Sequence, residues 1–170
     1  FRKNMLEHID TYFNAESAES YVFISFGLLA LLFAGYTLWR FNDVLYKSMA
    51  IPLVLVGLIQ LTVGKTILLH TPSQVAELKT LYQQDRAAFK QKELPRMQTV
   101  LKSFDLYKII EIAFVVIGLL LIIFMPANSF WLGIGLGMLV QGALMLPADI
   151  FAEARGAKYF QQIGQVEVKQ

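Results

Sequence analysis

Residues 49–69 read MAIPLVLVGLIQLTVGKTILL, 21 residues with a single charge, Lys65, close to one end. As a helix rising ~1.5 Å per residue they span about 30 Å, the thickness of a bilayer's hydrocarbon. Three further apolar stretches, at 21–38, 109–124 and 130–146, have the same character. Of 170 residues, 56% are hydrophobic and only 16% charged, where a soluble domain carries about 25% charge. Mean hydropathy is +0.51. The expectation is an all-α membrane protein, one domain over 1–170, built as a four-transmembrane-helix bundle.

Around the spans the pattern changes. Met5, Ile9, Tyr12 and Phe13 recur at helical spacing after Phe1, between Arg2, Lys3, Glu7 and Asp10, which predicts an amphipathic helix lying in the membrane interface. Met5 reads as a candidate natural start, with FRKN ahead of it as an addition. Between spans two and three, residues 71–108 predict a cytosolic helical hairpin. Thr71-Pro72-Ser73-Gln74 has the form of a capping box with proline at the first helical position. Pro95 is expected to break that helix and open the next. Residues 149–170 form a polar tail, helical at first.

Basic residues choose the side. With both termini inside, twelve Lys and Arg fall in inner segments, seven of them from Lys79 to Lys108, and only Arg40 and Lys47 outside. The positive-inside rule then places both termini and the hairpin in the cytoplasm, most naturally of a bacterial inner membrane.

Polar groups inside the spans are costly and informative. Lys65 and Glu111 should lie at similar depth, so they form a candidate intramembrane pair. The alternatives for Lys65 are snorkelling to headgroups or a transport or ligand role. Glu111 shares a helical face with Gly118 and Phe104 and should face protein. Gln60 and Gln141 are candidates for a hydrogen bond between helices. Gly57 and Gly64 mark a packing face on the second span. Gly133 and Gly137 mark one face of the fourth span, and Gly135 and Gly142 another, so that helix should be packed on two sides.

Several chemistries lack their residues. There is no cysteine, which removes disulfides, thiolate metal sites and cysteine nucleophiles. The two histidines, His8 and His70, show no ligand spacing, and no cofactor is expected. Basic residues alternate with acids, which argues against nucleic acid. No phosphate-binding loop or nucleophile–base set is visible.

Three functions stay open. A non-enzymatic accessory or assembly subunit would dock a protein partner or a second copy through Leu78, Tyr82, Phe89 and Leu101 on the hairpin. A small transporter or channel would use Lys65 and Glu111 in a polar path. An immunity or regulatory protein would recognise a helix within the bilayer.

Overall fold

The structure, a computed structural model, describes residues 4–167. Phe1, Arg2, Lys3 and Lys169, used above for the N-terminal helix and the charge count, lie outside the described residues. Four helices account for nearly everything: α1 (Met5–Arg40), α2 (Val44–Gln84), α3 (Arg86–Phe124) and α4 (Phe130–Gly164). All four are long and apolar enough to cross a membrane. They run up and down with short turns. The 41–43 and 125–129 turns lie at one end; the start of α1, the end of α4 and the Asp85 turn lie at the other.

Each helix holds 35 to 41 residues, or more than 50 Å at ~1.5 Å per residue. That is far more than the ~30 Å of a hydrocarbon layer. The excess lies at the end with the Asp85 turn, so each rod has an apolar half and a polar half.

The polar half has a core of its own. Met5, Ile9, Tyr12 and Phe13 of α1, Leu78 of α2, Phe89 and Met97 of α3, and Tyr159 and Ile163 of α4 form one buried cluster. Tyr12 stacks on Tyr159 with centroids 4.4 Å apart, and Phe13 meets Tyr159 edge-on at 6.1 Å. Burying such side chains from water stabilises by about 1.5–3 kcal/mol each.

The apolar half must cohere differently. Lipid tails are as apolar as leucine, so close packing replaces the hydrophobic effect. Three seams of small residues supply it. Gly27 of α1 faces Gly57 of α2, and a Cβ on Gly27 would lie 2.7 Å from the Gly57 carbonyl oxygen. Gly133 and Gly137 of α4 abut Ser48, Met49 and Pro52 of α2. Gly118 of α3 faces Gly135 of α4, where a Cβ would meet the opposing carbonyl at 2.8 Å. So α4 is wedged between α2 and α3, as its two glycine faces require.

Three local expectations change. The N-terminal segment is not a separate interfacial helix: it continues into α1, and its apolar side chains face protein. Thr71 does not cap a new helix. Its hydroxyl donates back to the Ile67 carbonyl at 2.8 Å, and α2 runs unbroken through Pro72. The hairpin turns at Asp85, not Pro95. The Asp85 carboxylate accepts from the Ala87 and Ala88 amides at 2.8 and 3.0 Å, satisfying donors that a helix start leaves open. Pro95 sits inside α3. The expected tail is mostly the end of α4, which passes through Pro147 to Gly164.

Candidate functional site

The four rods do not close evenly. α2 and α3 come together near their turn, where Tyr82 meets Phe89 edge-on at 5.4 Å and Lys92 pairs with Glu77. Toward the apolar half, α4 lies between them and they separate. A cavity of about 660 Å³ occupies that gap, walled by all four helices, within the ~300–1,000 Å³ range of small-molecule sites. Leu55 and Ile59 on α2 and Tyr107 and Ile110 on α3 line it while remaining 45–58% exposed. The cavity therefore opens sideways, where lipid would lie.

Its inner surface is graded. Toward the polar end it meets Tyr12, Glu16, Glu19 and Arg155; deeper lie Glu111, Asp149, Gln60 and Gln141; the rest is apolar. Gln60 and Gln141 do meet: the Gln60 Nε2 donates to Gln141 Oε1 at 3.1 Å and to the Met145 sulfur at 2.5 Å. Gln60 Oε1 is buried without a hydrogen-bond partner, and so is Glu111 Oε2.

Lys65 and Glu111 do not pair. Lys65 lies on the exposed side of α2, because Gly57, Gln60 and Gly64 take up the protein-facing sides. Glu111 has the carboxyl of Asp149 on α4 within hydrogen-bonding reach instead. Asp149 is only 5% exposed. The sequence expectation places Asp149 at the start of the polar tail, outside the spans. Its heptad register gave the better signal: Gly135, Gly142, Asp149, Gly156 and Ile163 are spaced by seven and all buried.

The candidate docking surface is also turned inward. Leu78 and Phe89 are fully buried, Tyr82 is half-buried against Phe89, and Leu101 packs on Gly156. The narrow stripes that looked unpartnered on a lone hairpin are covered by the N-terminus of α1 and the C-terminus of α4. Of the packing glycines, Gly64 lies against Ile24 and Ser20, and Gly142 against Glu111 and Val115.

Below the cavity, ion pairs tie the helices together. Arg155 of α4 pairs with Glu19 of α1, Lys108 of α3 with Glu153 of α4 at 2.5 Å, and Lys79 of α2 with Asp10 of α1 at 2.5 Å. Hydrogen bonding to Glu153 raises the Lys108 pKa. Glu93, fully buried, accepts two hydrogen bonds from Arg96 at 2.6 and 2.7 Å. The guanidinium also lies 5.5 Å over the Phe13 ring. Beside it, Tyr12 donates to Glu16 at 3.3 Å, and burial raises the pKa of both. Sequence spacing pointed to none of these groups, since each partner lies on a different helix or within an ordinary-looking charged stretch.

The site thus offers carboxylates and amide oxygens beside an apolar, laterally open channel. Two carboxylates as close as those of Glu111 and Asp149 repel unless a proton or a cation sits between them. Among the described residues no three His, Asp or Glu side chains gather as a metal site. No known protein family, curated protein or solved structure matches this chain.

Proposed function

We propose that this chain is a non-enzymatic binding protein that admits a membrane-soluble amphiphile into the cavity between α2 and α3. The observation that carries this reading is the cavity's combination of a lateral mouth, an apolar body and a polar floor. An amphiphile has an apolar chain and a polar head that match the body and the floor in that order. It would slide in from the bilayer with its chain among Leu55, Val56 and Ile59 and its polar group beside Gln60, Glu111 and Asp149. In this reading the chain resides in a bacterial inner membrane, with termini and Asp85 turn in the cytoplasm.

Native mass spectrometry in a maltoside detergent tests it, with dodecanol as the probe. One saturable site is expected, lost in Val56→Trp, which fills the cavity, and kept in Ile117→Trp, which faces away from it. Non-saturating uptake, or uptake indifferent to Val56→Trp, would overturn the reading.

A transport role draws support from one observation. The cavity reaches the polar end, while Gly118–Gly135 and Gly137–Pro52 contacts seal the bundle beyond it. Glu111 and Asp149, in place of Lys65 and Glu111, would then carry the load. Counterflow of a labelled amphiphile in reconstituted vesicles, lost in Glu111→Gln, tests this; flux equal to empty vesicles rejects it.

A further inference from the structure

The chemistry of the cavity narrows its occupant, on the reading that it holds an amphiphile. Three buried atoms on the cavity wall lack a hydrogen-bond partner: Arg155 Nη2, which lies in the ion pair with Glu19, and two acceptors, Gln60 Oε1 and Glu111 Oε2. Gln60 is 97% buried by its 3% exposure, so water at the surface does not satisfy it. An orphaned buried acceptor is unfavourable until a donor arrives. The ligand must therefore bring N–H or O–H groups, not acceptors.

Charge selects among donors. The cavity wall carries Glu16, Glu19, Glu111 and Asp149 against one cation, Arg155, and Arg155 is already paired with Glu19. An anionic head would meet uncompensated carboxylates in a low-dielectric site. A zwitterionic phospholipid would bring its phosphate to the same wall. A protonated amine on a single apolar chain brings positive charge and three donors.

We propose that the cavity binds a single-chain amphiphilic amine, with its ammonium group held by Glu111, Asp149 and the Gln60 carbonyl oxygen. The chain lies along Leu55, Ile59 and Phe114 toward the lateral mouth.

The test compares probes of equal chain length at pH 7 in maltoside micelles: dodecylamine, dodecanol, dodecanoate and dodecyltrimethylammonium. Dodecylamine should bind at least tenfold more tightly than the alcohol or the carboxylate, a difference of about 1.4 kcal/mol. The trimethylammonium probe has the charge but no N–H, and should fall between amine and alcohol. The paired substitution Glu111→Gln with Asp149→Asn preserves shape and should close the gap between amine and alcohol; an unchanged melting profile confirms its fold. If that variant fails to fold, Gln60→Leu, which removes one acceptor, should shrink the amine's advantage.

Saturable dodecanol binding with no amine preference overturns this inference and leaves the amphiphile reading standing. No saturable binding of any probe overturns both. Parity of the trimethylammonium probe with the amine overturns the donor argument. Added phosphatidylethanolamine separates the sources of an amine: failure to compete supports a free single-chain amine, and displacement of dodecylamine overturns that choice.

Discussion

The Gln60 amide of α2 donates to the Gln141 side chain of α4 at 3.1 Å, in a half of the molecule otherwise packed through glycine and aliphatic groups. The bond sets the register of the two helices where the Gly133–Gly137 seam gives way to the cavity. Interhelical hydrogen bonds in membranes average about 0.6 kcal/mol and reach about 1.7. Gln141→Leu should cost about 1 kcal/mol, because it leaves Gln60 buried with a poorer partner. The double substitution Gln60→Leu with Gln141→Leu should recover most of that loss. A double-mutant cycle of unfolding in mixed micelles measures both.

Close approach at the glycine seams has a sharper signature. A Cβ at Gly118 would lie 2.8 Å from the Gly135 oxygen and 2.9 Å from the Leu139 nitrogen, both backbone atoms that cannot move aside. Gly118→Ala should destabilise by about 1–3 kcal/mol. Gly35 has nothing within 4 Å, and Gly35→Ala should be neutral or stabilise by up to about 1 kcal/mol through helix propensity. Thermal unfolding of the two variants separates packing from propensity.

What the sequence disclosed divides along the same line. Spans were legible because 20 apolar residues have few other homes. The two faces of α4 were legible because glycines repeat at helical intervals. The polar halves were misread for a physical reason. Met5–Phe13, Leu78–Phe89 and Tyr159–Ile163 each look like a stripe without a partner, since their partners are one another across long stretches of chain. Thr71-Pro72 and Pro95 carry strong local start and stop signals, yet packing of Leu78, Phe89 and Met97 into one core outweighs them. Lys65 and Glu111 were matched by depth, but depth fixes only one coordinate; rotation about the helix turned Lys65 away. The Glu111–Asp149 relation needed the register of α4 to be carried past Pro147.

The polar half should also respond to pH. Burial raises the Glu16 pKa above its ordinary 4.5, with Arg96 and the Tyr12 hydrogen bond opposing and Glu93 reinforcing the shift. The folded protein then keeps a proton that the unfolded chain has released. Stability from this group is complete below pH 4.5 and is lost as pH rises through the folded value. Glu16→Gln should flatten that slope and leave the variant more stable than the native protein at pH 7. Melting curves between pH 4 and 7 read the difference.

The chain has no cysteine, so single cysteines report topology without background. Gln83→Cys near the Asp85 turn and Asn128→Cys in the opposite turn should react with an impermeant maleimide from opposite faces. In inverted inner-membrane vesicles, Gln83→Cys should label and Asn128→Cys should not. The reverse pattern would contradict the orientation drawn from the basic residues.

The lateral opening between α2 and α3 is the feature on which amphiphile binding depends most. Phe114 lines the cavity, while the native tryptophans, Trp39 and Trp131, are exposed at 84% and 56% and replaceable by phenylalanine. In that background, brominated lipids should quench Phe114→Trp nearly as strongly as Ile117→Trp, whose parent side chain is 44% exposed. Quenching as weak as at Leu53→Trp, where the parent is 3% exposed, would show a bundle closed to lipid and contradict the account.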